Sequence, residues 1–292
     1  MHKAEIMDTS IERDIRLSAR KSHIVTTEVR VKSGVTLTIE DGAEILICNG
    51  PVQQSKLRRA ALIFEAGSAL KAKRVYVRSC NKSFRPVKSA DNGGLWFLGN
   101  FKSGSKDGIR VSAGLGRAQS NFNAKLIATY YLGRTDPLKA SKKSIQDDID
   151  GLSIIGVGPL EWNISELRSY HSADDGIDIT NSEISLERLR VITPLEDGVN
   201  LSSSRLSVTR SAYVHVGKTK VRDRDLFDFE ADDGPSYLEL AQHCYVNLNG
   251  VFGDQLMVSS DDLIGSSRRQ RIVAVKKYLR KSPTLIYTLN QD

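Results

Sequence analysis

Five segments of one form constrain this chain more than any other feature: "DGLSI" at Asp150, "DGIDI" at Asp175, "DGVNL" at Asp197, "DLFDF" at Asp225 and "DQLMV" at Asp254. Each reads Asp-x-apolar-x-apolar, and successive starts lie 25, 22, 28 and 29 residues apart. A second apolar alternation follows each, at Trp162/Ile164, Ile184/Leu186, Leu206/Val208, Leu238/Leu240 and Val273/Val275. Strict period-two alternation over short runs marks half-buried strands. No amphipathic helical stretch separates them, so the pattern is not a βαβ one. Two or three short strands recurring at this interval predict an all-β solenoid, a parallel β-helix of roughly 22–29-residue coils. One coil cannot bury its inward face, so coils must stack.

The first half carries the same scheme. "EVRVKSGVTLTIEDGAEILI" (Glu28 to Ile47) and "ALIFEAGSALKAKRVYVRS" (Ala61 to Ser79) each read as short strands parted by Gly-containing corners, and "GGLWFLG" and "DGIRVSA" continue it. "CNGPVQQSKLRRA" and "RTDPLKASKKSIQDD" read as loops inserted between strands. Nothing reads as an interdomain linker. The expected organisation is an N-terminal extension or cap over 1–23, one β-helix domain over 24–283, and a C-terminal strand or tail over 284–292. Thr9-x-x-Glu12 fits a capping box, so residues 9–20 read either as a capping helix or as a first strand.

Composition narrows the partners. Net charge is +7, much of it in clusters such as Lys56/Arg58/Arg59, Lys71/Lys73/Arg74 and the Arg268–Lys281 region. Such a surface favours anionic partners. No apolar run is long enough for a membrane helix. The charged N-terminus has no signal-peptide core, which fits either a cytoplasmic protein or a chain whose leader has been removed. Three cysteines, Cys48, Cys80 and Cys244, argue against a disulfide framework and read as buried free thiols. Cys48 and Cys80 both precede Asn at strand ends, which leaves open that they are neighbours on adjacent turns.

"SGVTLTIEDGAEI", "GGLWFLGN", "IDGLSIIGVG" and "ADDGIDI", in that order, resemble the right-handed parallel β-helix proteins of the pectin-lyase-like superfamily, nearest to bacterial surface and secreted members of no established activity. The resemblance spans about residues 24 to 260 and implies a right-handed coil and an extracellular or cell-surface location. The basic charge and short length depart from that group.

Three functions follow from the residues. In the first, the repeated Asp accepts hydrogen bonds from corner N–H groups, Gly permits a positive φ, and the protein is a non-enzymatic module. An exposed face with Arg188, Arg190 and Arg210, beside Tyr213 and Tyr245, then binds an anionic glycan or another extended ligand, with His171 and His215 nearby. In the second, Asp175, Asp178, Glu196 and Asp197 are the acid and base of a polysaccharide-degrading enzyme, since Asp175 and Asp197 fall one coil apart. The spacing resembles the polygalacturonase pattern, without its Gly-His-Gly or Arg-x-Lys motifs. A lyase variant has Asp174, Asp175, Asp178 and Asp197 hold Ca²⁺, with Asp232/Asp233 as a second acidic cluster. The third is nucleic-acid binding through the basic clusters, with no aromatic interleaving to support it.

Overall fold

The computed structural model describes residues 3–48, 60–88, 93–101, 119–134, 150–217, 225–230, 236–241, 244–250, 258–259 and 285–289. Within them the chain is all-β, and the strands stack into two sheets, in parallel except at the last strand.

The repeated segments form the smaller sheet. Its order is β2 (Ser10–Ile11), β5 (Glu28–Val31), β8 (Ala61–Phe64), β11 (Leu95–Leu98), β13 (Leu152–Ile155), β15 (Ile177–Thr180), β17 (Val199–Ser202), β19 (Phe227–Glu230) and β22 (Val258–Ser259). Neighbours in space are one coil apart in sequence, as a solenoid requires. The apolar positions of the repeat fall in register: Ile154 faces Ile179, Ile177 faces Val199, and Val199 faces Phe227. The fifth segment departs from the spacing. Phe227 pairs with Val258, two residues beyond Leu256, where the repeat would place its partner. Asp254 and Leu256 lie outside the described residues.

Among the described residues the larger sheet contains the other two flanks of the coils. Early coils build them from separate strands, with β3 (Ile15–Leu17), β6 (Thr36–Ile39) and β9 (Ala69–Ala72) on one flank. The other flank has β1 (Lys3–Ile6), β4 (Lys21–Val25), β7 (Glu44–Cys48) and β10 (Arg74–Cys80). Later coils fuse the two into long bent strands: β12 (Asn121–Tyr130), β14 (Trp162–Tyr170), β16 (Glu183–Ile192) and β18 (Arg205–Val216). β12 pairs with β9 at its start and with β10 at its end, which shows that the flanks are continuous. At the bend, β16 and β18 shift register between Leu186 and Arg188. Beyond β18 the flanks separate again into β20 (Ser236–Leu240) and β21 (Tyr245–Gly250). β23 (Leu285–Leu289) closes that end antiparallel to β20. Each coil is thus three-sided.

The inward residues make one core running from Met7 to Leu240. Phe64, Phe97, Phe122 and Trp162 meet there; Phe64 and Phe97 stack with centroids 5.0 Å apart, and Trp162 meets Phe97 edge-on at 5.6 Å. Such rings are buried in coils that contact only their neighbours, so core packing and coil stacking are one interaction.

Two expectations change. Of the two readings open for residues 9–20 the strand holds, with β2 and β3 there, and the parallel ladder already includes β1, β2 and β3, so stacking begins ahead of residue 24 and not at it. Cys48 and Cys80 are not free thiols. They stand opposite each other on β7 and β10, with Cα atoms 4.6 Å apart, and are joined by a disulfide; Cys244 is free. They sit with Ile24 and Leu46 in a small apolar cluster on the outside of the coil, against which Phe84 packs.

Candidate functional site

Two regions of the solenoid carry chemistry: the acidic corner that enters the smaller sheet, and the outer surface of the second flank.

The corner is built by the repeat. The backbone N–H of Asp197 donates to Asp175 Oδ1 at 2.9 Å, and the N–H of Asp225 donates to Asp197 Oδ1. Each carboxylate therefore ties its corner to the next coil. The backbones are bonded in parallel, Gly176 N–H to the Asp197 carbonyl and Gly198 N–H to the Asp225 carbonyl, both 2.8 Å. Asp175 and Asp197 thus accept from backbone N–H groups as expected of the repeat, though from the next coil's corner and not from their own. The expected role for the glycines is not met. Neither Gly176 nor Gly198 has a positive φ. A Cβ on Gly198 would instead lie 2.5 Å from both the Leu226 carbonyl oxygen and Val214 Cγ1, and one on Gly176 would collide with Val191 and the Gly198 carbonyl. Glycine is there because adjacent coils approach too closely for a side chain.

Asp174, Asp175 and Glu196 converge, with one carboxylate oxygen from each within 4.8 Å of the others. Asp174 and Glu196 are buried and Asp175 is half-buried. Three carboxylates at this range are a donor set suited to a hard divalent cation. Asp175 brings only part of its capacity, because Oδ1 already accepts from Asp197 N–H. Burial, then the charges of Asp197, Asp150 and Asp174, hold the Asp175 carboxyl well above the ordinary carboxylate range; the Asp197 N–H works the other way. Of the four residues expected to share a cation, Asp174 and Asp175 meet this condition and Asp178 and Asp197 do not. Glu196, read from sequence as catalytic, supplies the third group.

Asp178 stands on the outer row of the smaller sheet, between Ser153 and Asn200 on the neighbouring strands. It is nevertheless only 8 % exposed. Burial pushes its carboxyl up to about 7, Glu230 and Asp174 add to the rise, and the Thr180 hydroxyl, donating at 3.0 Å, opposes it. Asp197 is spent on the corner, as Asp225 N–H shows. The sequence-expected acid–base set is thus divided between a ladder bond, a carboxylate cluster and a separate buried carboxyl.

The second region is the outward row of the second flank. Parallel register places Tyr76, Ala128, Arg168, Arg190 and Tyr213 in one column, and Arg78, Tyr130, Tyr170, Ile192 and His215 in the next. Tyr130 and Tyr170 stack at 4.8 Å, with Arg78 over Tyr130 at 4.4 Å. Arg190 lies over Tyr213 at 4.8 Å. Arg78, Arg168, Arg188 and Arg210 reach Glu44, Glu166 or Glu187, but Arg190 makes no ion pair with a described residue. A groove of about 280 Å³, lined by Lys21, Ser22, Glu44, Tyr76 and Arg78 over small residues, opens at the head of these columns. The tyrosines other than Tyr213 and Tyr245 were not anticipated; Tyr76, Tyr130 and Tyr170 each follow an apolar or small residue in strand alternation, but only coil register reveals that they line up.

His171 and His215 part company. His171 adopts a positive φ at a corner, stacks on Tyr131 at 4.7 Å and bonds Thr193 Oγ1 through Nδ1. Desolvation, then the charge of Lys88, lowers its pKa. His215 ends the second column. The Asp232/Asp233 pair and the Lys56 and Arg268 clusters lie outside the described residues. Among the described residues no helix is long and apolar enough to cross a membrane. Comparison with family models, curated proteins and solved structures gives no match for this chain.

Proposed function

We propose that this is a non-enzymatic β-solenoid module that binds an anionic glycan on its outer Arg/Tyr face. The observation that carries this reading is Arg190, exposed, seated on Tyr213 and without an acidic partner among the described residues. A guanidinium held flat on a ring keeps its N–H edge available for a carboxylate or sulfate and has less rotamer freedom to lose on binding. Tyr170, Arg168 and Arg188 extend the same surface, while the corner aspartates have structural work in tying coils together. A fold of the pectin-lyase-like kind, wound right-handed as nearly all parallel crossovers are, suits such a surface. The Cys48–Cys80 disulfide favours an oxidising, extracellular setting.

The test is a glycan array of neutral and acidic polysaccharides. Acidic chains should bind, and Arg190→Ala should weaken them about tenfold, the loss of one charge-assisted hydrogen bond. Equal retention of neutral glycans, or an unchanged Arg190→Ala profile, rejects it.

A second reading rests on Asp178. A carboxyl that keeps its proton up to about 7 has what a general acid needs at neutral pH. On that reading the protein cleaves acidic polysaccharide, with Ca²⁺ held by Asp174, Asp175 and Glu196 in a lyase variant. New reducing ends or unsaturated products that vanish in Asp178→Asn or in EDTA would favour it over the binding module.

A further inference from the structure

We infer that two copies of this chain pair end to end, antiparallel about a two-fold axis, through the edge strands β1, β2 and β3.

Both sheets stop at these strands. β1 pairs only with β4, β2 only with β5 and β3 only with β6, so one side of each carries no strand among the described residues. An unpaired edge is a template for another strand, and proteins that keep one bare blunt it with proline, bulges or charge. β1, β2 and β3 contain no proline and keep an unbroken register with their neighbours. Charge is the one device present, as Lys3 and Glu5 in β1 and Arg16 in β3. The lumen is already sealed at this end, since Met7, Ile11 and Leu17 are buried. What is open is backbone, so the partner that fits is a strand and not an apolar cap. Ile6, 58 % exposed, extends the outer row of Ile24 and Leu46 onto β1, where an added strand would flank it.

The phase of the edge and its charges select a second copy. Met7 N–H donates to the Ile24 carbonyl, so the odd residues of β1 face β4, and the N–H and C=O of Ala4 and Ile6 face away. The Ile11 and Leu17 carbonyls accept from Lys32 and Glu40, so Ser10 and Arg16 face away in β2 and β3. In an antiparallel pair the residues that exchange both bonds stand directly opposite. Ala4 opposite Ile6 of the second copy sets Glu5 against Glu5, and Ile6 opposite Ile6 leaves Lys3 and Glu5 without an opposite charge. Ala4 opposite Ala4 sets Lys3 against Glu5 twice. Edge charges that repel most strands are thus complementary to themselves. Because the coil is three-sided, the axis through Ala4 exchanges β2 with β3, and the phase holds there too. Ser10 then meets Arg16, and Ile11 meets Ile15 on the core side. The exposed corner at Asp8 meets the exposed corner at Arg20, again with opposite charge. Head-to-tail addition is disfavoured because β23 already covers β20 antiparallel at the other end. A two-fold contact closes on itself, so it gives a dimer and no fibre.

The experiment is sedimentation velocity of the full chain over a concentration series, with circular dichroism to confirm that each variant is folded. The wild type should pass from monomer to dimer and stop there. Lys3→Glu sets like charges opposite each other at two symmetric places and should weaken the dimer about tenfold. Adding Glu5→Lys to it restores the pairing with the signs exchanged and should recover the dimer; the Glu5–Lys21 bridge that is lost is partly exposed and contributes little. Ala4→Pro removes the N–H that faces away from β4, leaves the β1–β4 ladder intact, and should give a folded monomer. A chain that stays monomeric at every concentration leaves the edge to a strand of another protein and overturns the proposal. So does an open-ended series of oligomers, a dimer that Ala4→Pro leaves unchanged, or a Lys3→Glu loss that Glu5→Lys fails to restore.

Discussion

Asp178 carries the clearest consequence at the level of a single residue. Its carboxyl is raised to about 7, chiefly by burial, with Glu230 and Asp174 adding to it. In the unfolded chain the same group titrates near the ordinary 3.8. Between those values the folded protein binds the proton and the unfolded one does not, so stability falls as pH rises. The contribution is fully present below the unfolded value and is lost as pH climbs through about 7. Three pKa units set an upper bound on the order of 4 kcal/mol. Asp175, raised in the same direction, adds to the slope. Denaturant midpoints should be higher at pH 5.5 than at pH 8, and Asp178→Asn should flatten the difference by raising the pH 8 value. A midpoint that rises with pH would contradict this. Little of this residue's state was legible in the sequence. Alternation placed Asp178 outward, and outward it is, but alternation cannot register that an outward side chain is buried at this coil, while Asn200 and Asp228 beside it in the row are half-buried. The glycines show the same limit. "DG" is a familiar turn pair, so a positive φ was the natural reading, whereas Gly198 is there because the Leu226 carbonyl of the next coil presses on it.

Strands tell a different story, because their pairing is written in the repeat. Ile177, Val199 and Phe227 fall opposite one another as the spacing required. The alternations Ile184/Leu186 and Leu206/Val208 likewise pair and are buried. What spacing could not supply was the bend that fuses two flanks into β16 and β18, or the strands before residue 24, whose two- to five-residue lengths are too short for periodicity to detect. The cysteine pair belongs at this scale. Cys48 and Cys80 are separated by 32 residues yet directly opposite, so their bond closes one coil onto the next. In the chain-entropy view a loop of this size contributes about 3–4 kcal/mol. Alkylation of the unfolded, unreduced protein should add one label, on Cys244, and alkylation after reduction should add three, read as intact mass. Reduction should also lower the melting temperature by several degrees. Three labels without reductant would show that the pair is not bonded.

At the scale of the whole molecule the open question is how the excess positive charge is used. A net charge of +7 draws any polyanion, and a nucleic acid is a denser polyanion than a uronate chain. The two partners differ in how they respond to salt. Nucleic-acid binding driven by charge alone releases condensed counterions, so it should lose on the order of a thousandfold or more between about 50 and about 200 mM salt if several phosphates are neutralised. A glycan held by a comb of stacked guanidiniums and phenols keeps its hydrogen bonds to hydroxyls, which salt screens little. The described columns show why the second behaviour is expected. Most of their arginines already face glutamates, so the surface is a patterned mixture of donors and acceptors with a modest positive surplus, not a uniform basic stripe. Stacking of bases needs open aromatic faces, and here Tyr130 is taken on both sides by Tyr170 and Arg78, while Tyr170 and Tyr213 each have one face taken. A salt titration with both ligands in parallel should therefore give a steep slope for DNA and a shallow one for the acidic glycan. Arg190→Ala should shift the glycan curve at every salt concentration while changing the DNA slope by no more than about one unit. Equal slopes would mean that the molecule reads charge alone, and the register of its columns would then be a property of the fold without a partner.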